Sequence, residues 1–220
     1  MPISIDENRA WAMLLRSPAF PISTLRRALA EVGGIDALVH APLCSLREWG
    51  LPPLTSQALA QPDQDRIEAD LRWLGRTGAV LLPCTATEFP PQLAQLPDAP
   101  LALYVRGDPS TLTRPQLAIV GSRSPTAAGR RFAHQLAREL GGAGFAITSG
   151  LARGIDTAAH LGALDANAPT IAVCATGLDQ CYPPANAALA ERIVVSGATG
   201  SSPASRAAPW WSRRLPAAAP

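Results

Sequence analysis

Three short segments in the second half of the chain concentrate glycine, hydroxyl and guanidinium groups. They are Gly121-Ser122-Arg123-Ser124, Ser149-Gly150-Leu151-Ala152-Arg153-Gly154, and a loop running from Gly177 through Asp179 and Tyr182 to Asn186. The chemistry such groups offer is anion binding. Glycine lets a ligand approach the backbone, and the unpaired N–H groups and dipole of a helix start attract phosphate oxygens. Arg123 and Arg153 add planar, charge-assisted forks. Tyr182 offers a ring on which a base can stack, or a cover for a sheet edge. Each feature has a plain structural counterpart. Gly121 suits any tight strand-to-helix turn, Arg153 can cap a neighbouring carbonyl, and Asp156 favours the dipole of its own helix. Asp156 and His160 stand four apart on one helical face, the spacing of an acid–base pair. No nucleophile accompanies them, so a packed, hydrogen-bonded histidine is the expected role.

Each segment follows a short apolar run: Leu117–Val120, Phe145–Thr148 and Thr170–Cys174. Behind the first, Ser124 before Pro125 reads as a helix start. Phe132, Leu136 and Leu140 form one face of that helix, with Arg130, Arg131, Arg138 and Glu139 elsewhere, and Gly141-Gly142 ends it. The second helix carries Ile155, Ala158, Ala159 and Leu161. The third runs from Asn186 to Arg192 and leads into Ile193-Val194-Val195. Apolar strands alternating with helices predict an α/β fold, a Rossmann-like doubly wound parallel sheet covered on both sides with right-handed crossovers. In such a sheet the loops after the strands emerge at one carboxyl edge, so the three segments are expected to converge.

The first 77 residues read differently, as a small all-helical domain of the SAM or helix-hairpin-helix kind. Trp11, Leu14 and Leu15 make an apolar face. Ser23 or Thr24 is placed to cap a second helix carrying Leu25, Ala28, Leu29 and Val32, which ends at Gly33-Gly34. Asp63 opens a stronger helix with Ile67, Leu71 and Leu74, stopped by Gly75 and Gly78. From residue 78 to 195 the texture is that of the α/β core, entered through strands at Ala79–Leu82 and Leu101–Val105 with a proline-rich loop between. Residues 196–220 read as an atypical low-complexity tail containing Trp210-Trp211 and a terminal alanine run.

Composition excludes several function classes. The 220 residues carry 19 basic and 17 acidic groups, a net charge of +2, too little to coat the chain in nucleic acid through bulk charge, so anion recognition must be local. All nineteen basic residues are arginine, which removes the Walker A loop and lysine Schiff-base chemistry. Cys44, Cys84, Cys174 and Cys181 form no C-x-x-C pair and read as free thiols, with no metal or cofactor expected. A dinucleotide fingerprint is missing, since Gly121 is followed by Ser-Arg-Ser-Pro-Thr-Ala-Ala-Gly129 and Thr148-Ser149 stands where a ribose-binding acid belongs. The N-terminus lacks a signal-peptide pattern and no apolar run reaches transmembrane length, so a cytoplasmic protein without a membrane partner is expected.

Taken in order, Ala118-Ile119-Val120-Gly121-Ser122-Arg123, then Ser149 to Asp156 with Ala159-His160, then Thr176-Gly177-Leu178-Asp179 with Tyr182-Pro183 and Asn186, closely resemble the DprA/Smf family of DNA-processing proteins. Phe89-Pro90, Leu93, Pro100, Leu103, Tyr104 and Gly107 extend the likeness upstream, and it covers about residues 8 to 196. The resemblance implies a non-enzymatic protein that binds single-stranded DNA during natural transformation and helps load the RecA recombinase. It also implies self-association as a dimer where the core is intact. Carried over by position, the implied DNA-binding residues are Gly121, Ser122, Arg123, Ser149, Gly150, Arg153, Gly154, Gly177, Asp179, Tyr182 and Asn186.

The chain also departs from the family pattern. Ala175 stands where the family usually has glycine, and Pro184-Ala185 leaves the third loop without a cation. Beyond Ser196 the family continues through further strands and an Arg-Asn-Arg segment, whereas here Gly197 onward reads as a truncated product translated out of frame. An unfinished, exposed sheet edge is the expected consequence. The competing readings are a nucleotide or nucleotide-sugar hydrolase on a related Rossmann-like scaffold, which would need a catalytic acid beside a Pro-Gly-Gly loop, and a folded but inactive remnant.

Overall fold

A computed structural model describes residues 5–174, 178 and 181–201, and the chain divides into two compact units, Met1–Leu103 and Tyr104–Pro220. The first unit opens with six helices: α1 (Ile5–Arg16), α2 (Ile22–Val32), α3 (Ile35–Val39), α4 (Leu43–Glu48), α5 (Pro53–Ala60) and α6 (Gln64–Thr77). Helix α1 packs on α3, α5 and α6, and its Trp11 and Leu14 are buried, as are Leu25, Leu38, Leu46 and Ile67 of the other helices. Arg16 donates from Nε and Nη2 to the two carboxylate oxygens of buried Asp70 at 2.7 and 2.5 Å, a bidentate pair that neutralises the one acid on the inner face of α6.

The helix ends of this unit follow their residues with two shifts. Gly33 closes α2 in the left-handed region at φ +84°, its N–H bonded to the Leu29 carbonyl at 2.8 Å. Asp63 caps α6 by accepting the Arg66 N–H at 3.2 Å, and Gly78 at φ +64° ends it. Ser23 and Thr24, however, lie inside the first turn of α2 and do not cap it, since Pro21 holds the N-cap position with an extended backbone. Gly75 lies within α6. After α6 come strand β1 (Val80–Pro83), the short helix α7 (Pro91–Ala94) and the opening of β2 (Ala102–Gly107), with Cys84 N–H donating to the Leu101 carbonyl at 2.9 Å.

In the second unit the chain alternates strand and helix: β3 (Gln116–Ala118), α8 (Ala127–Gly142), β4 (Ala146–Ser149), α9 (Ile155–Asp165), β5 (Thr170–Val173), α10 (Ala187–Ser196) and β6 (Ala198–Ser201). Strands β3, β4, β5 and β6 are mutually parallel in spatial sequence, with Leu117 opposite Ile147, Ile147 opposite Thr170, and Ile171 opposite Ala198. The far side of β6 takes β2 antiparallel, Arg106 opposite Thr199. This is the α/β, Rossmann-like sheet that the alternation predicts.

In this unit most differences from the sequence reading come from what an element packs or pairs against. Strand β3 is an edge, so its apolar run is not covered on both sides: Leu117 is 39% and Val120 70% exposed. Helix α8 starts at Ala127, where Thr126 accepts the Gly129 N–H at 3.1 Å, not at Ser124-Pro125. Its fully buried residues are Ala133, Ala137 and Gly141; of the expected stripe Leu140 packs against the Ala137, Ile147, Ala159 and Ala163 cluster, Leu136 is half-buried, and Phe132 is 68% exposed. Small residues face inward because α8 lies hard against α9. A Cβ at Gly162 would overlap the His134 carbonyl oxygen, and one at Gly141 would come 2.6 Å from Ala168 Cβ. Ile193-Val194-Val195 continue α10 instead of extending, and β6 falls within the stretch that reads as tail. Ala-Thr-Gly-Ser has little β propensity of its own. Pairing on both sides, to β5 and β2, makes it a strand.

Candidate functional site

Strand β3 ends in the loop carrying Gly121, Ser122 and Arg123, and β4 ends in the loop from Ser149 to Gly154. The two loops are joined directly. Ile155 N–H donates to the Ser122 carbonyl at 3.1 Å, and Ser149 Oγ donates to the Ile119 carbonyl at 2.6 Å. Gly154 adopts φ +89°, and a Cβ there would overlap the Ser122 carbonyl oxygen and press on Pro125. Only glycine allows the second loop to lie against the first in this way. Gly121 sits similarly close to the Ile155 side chain, since a Cβ on it would come 2.9 Å from Ile155 Cγ1.

The second loop is braced from within. Asp156, buried at the first turn of α9, accepts the N–H groups of Gly150 and Ala152 on Oδ2 at 3.1 and 3.3 Å. Thr157 Oγ1 donates to the Ala152 carbonyl at 2.8 Å. From the third loop, Asn186 Nδ2 donates to the Leu151 carbonyl at 2.8 Å and to Thr157 Oγ1 at 3.0 Å. Asn186 is therefore the clamp through which the third loop holds the second. Tyr182, on the same loop, is 65% exposed. Gly177 and Asp179, with Ala175 and Thr176, lie outside the described residues.

The acid–base pair has other duties. His160 is fully buried, and its Nδ1 is 2.8 Å from Thr170 Oγ1, whose own hydrogen goes to the Ile147 carbonyl at 2.7 Å. Thr170 must then accept, so the proton sits on Nδ1. Nε2 meets no hydrogen-bond partner among the described residues, and burial pushes the imidazole pKa down to about 4. Two of the thiols are also withdrawn: burial raises Cys84 to about 11 and Cys174 to about 12, the latter with a further push from Cys181. The described residues contain no cluster of three metal-ligating side chains.

Arg123 and Arg153 line one concavity of about 1050 Å³ together with Gly154 and Asn186. Both arginines are exposed, and neither makes an ion pair or a hydrogen bond among the described residues. Of the residues named from the sequence, the structure brings Arg123, Arg153, Gly154 and Asn186 to this surface. Gly121, Ser122, Ser149 and Gly150 form the framework that holds them. Sequence reasoning left out Arg130, Arg131 and Arg138 of α8, which line the same concavity. Their signal was available as a set of arginines about two turns apart on the helix that follows Gly121-Ser122-Arg123.

A sequence profile described as DNA recombination-mediator protein A matches residues 80–210. The chain belongs to this family. The match to DNA recombination-mediator protein A runs past Ser196, the limit at which the family likeness is legible by eye. Among curated relatives, Protein Smf of Escherichia coli is 37% identical over 169 residues, 77% of this chain and 44% of the relative. The DNA processing protein DprA of Streptococcus pneumoniae is 42% identical over 105 residues, 48% of this chain and 37% of its own length, and that of Bacillus subtilis is 31% identical over 173 residues, 70% and 58%. The chain thus spans about half the length of the curated relatives it matches. The crystal structure of the Streptococcus pneumoniae protein superposes with a TM-score of 0.70 at 28% identity, covering 91% of this chain and 68% of that one.

Proposed function

We propose that this chain binds single-stranded DNA at the rim formed by the loops after β3 and β4. The observation that carries this reading is that Arg123 and Arg153, about thirty residues apart, face one concavity from two loops locked together by the Ile155–Ser122 hydrogen bond. Guanidinium groups contact backbone phosphates without regard to base, so binding is sequence-tolerant and weakens with salt. The work is recognition, not catalysis. Asp156 is committed to Gly150 and Ala152, and His160 is sealed against Thr170. By its family the chain acts in DNA processing during natural transformation, in the cytoplasm, with the RecA recombinase as the recipient of the bound strand and a dimer as the working form. No helix of the described residues is long and apolar enough to cross a membrane.

A salt series of oligo-dT binding tests the site. Affinity should fall linearly on a log–log plot with a slope of about −0.7 per phosphate neutralised. Arg123→Ala should weaken binding by about tenfold with no change in melting temperature. Unchanged affinity in that variant would reject the assigned site.

A further inference from the structure

The concavity extends well past the two loops, and what lines the extension is cationic. Arg130, Arg131 and Arg138 are exposed on α8 and face the same space as Arg123 and Arg153. With a rise of about 1.5 Å per residue, Arg130 and Arg138 stand about 12 Å apart along the helix. One acid, Glu139, lines the same concavity and offsets part of this charge, though it makes no ion pair with any of the arginines. Glu139 accepts a hydrogen bond from Gln135 Nε2 at 2.9 Å, and Asp165 pairs with His134 Nε2 at 2.8 Å. Among the described residues none of the five arginines forms an ion pair. Five guanidinium groups against one carboxylate, Glu139, leave the hollow with an excess of positive charge that focuses a positive potential into it and favours a bound polyanion. The arrangement is fixed by packing. Ala133, Ala137 and Gly141 face inward, which brings α8 close to α9, and the groove runs along the flank of that contact, lined by Arg130, Arg131 and Arg138 from α8 and by Thr157, Ala158 and Leu161 from α9.

Resting on the reading that the loops hold single-stranded DNA, we propose that α8 is a second length of the same track, on which Arg130, Arg131 and Arg138 take successive phosphates of a strand anchored at Arg123 and Arg153. A span of about 12 Å exceeds what one phosphate can bridge, so the ligand class is an oligonucleotide of several residues and not a mononucleotide. Leu161, with buried Ala158, also lines the concavity and gives it an apolar portion that suits sugar or base.

The test uses the full chain and fluorescence anisotropy with labelled dT4 and dT16 between about 50 and 300 mM salt. The proteins are wild type, the Arg131→Ala/Arg138→Ala double variant and Arg123→Ala, with a thermal melt of each. In wild type dT16 binds more tightly than dT4. In the double variant that advantage should shrink at least about fivefold, and the dT16 salt slope should become shallower by about 1.4, two phosphates' worth. A double variant that keeps both the wild-type ratio and the wild-type slope overturns the proposal, whatever Arg123→Ala does. If Arg123→Ala leaves both oligonucleotides bound as in wild type while the double variant loses dT16, the anchor at the loops is wrong and the track on α8 stands. If wild type binds neither, both readings fall.

Discussion

The loops after β3 and β4 are built to one plan, strand then glycine then arginine then helix, and they are held in opposite ways. The loop from Ser149 to Gly154 is braced on its inner side by Asp156, Thr157 and Asn186. The loop from Gly121 to Thr126 has one short internal bond, Ser124 N–H to Ser122 Oγ at 3.1 Å, and is otherwise exposed, leaning on its neighbour through the Ser122 carbonyl. One loop is scaffold and the other is carried by it, although each presents a single free arginine to the same groove. Damage to the second loop should therefore displace the first, whereas damage to the first should stay local.

The largest effect is expected where the two loops touch. Gly154→Ala forces a side chain into φ +89° and into the Ser122 carbonyl, which should cost about 4 kcal/mol and lower Tm by roughly 10 °C. A drop of a degree or two in a calorimetric melt would show that the loops are not in contact.

Behind the scaffold loop, His160 should make the fold acid-sensitive. Its pKa is about 6.5 unfolded and about 4 folded, so the unfolded chain takes up a proton that the native site refuses. That contribution is complete above pH 6.5 and is withdrawn as pH falls toward 4, by about 3 kcal/mol in all. Urea midpoints measured at about pH 7.5 and 4.5 should differ accordingly, and His160→Gln should flatten the difference. An equally steep profile in the variant would assign the acid sensitivity to other groups.

Removing the brace itself comes next. Asp156→Ala strands two backbone N–H groups and should cost about 2 kcal/mol, with oligo-dT affinity falling as the loop loses its shape. Tighter binding, the result of simply removing a negative charge, would count against the scaffold role. Smallest of all, Ser122→Ala on the carried loop should change stability by less than about 0.5 kcal/mol. A larger loss would mean that the first loop is a support in its own right.

Much of this was legible in the residues. The order of strands and helices, the loops with their arginines, the caps at Asp63, Gly33 and Gly78, and the enclosed role of His160 follow from local chemistry, which is written in adjacent residues. The inner face of α8 was not legible. Phe132, Leu136 and Leu140 form the better hydrophobic stripe, and Leu140 does pack on the core, but the helix lies so near α9 that the fully buried positions are the small residues Ala133, Ala137 and Gly141, and Phe132 is left outside. Strand β6 was hidden for a related reason, since a strand paired on both edges needs no apolar sequence of its own.

The sequence by itself determined that phosphate-seeking loops would stand at the ends of parallel strands, because strand-length apolar runs followed by glycine and a helix have few other ways to fold. Only the tertiary structure decided that the arginines of α8 share their groove. Which side of a helix faces a ligand depends on which side its neighbour occupies, and that is settled by contacts between residues far apart in the chain.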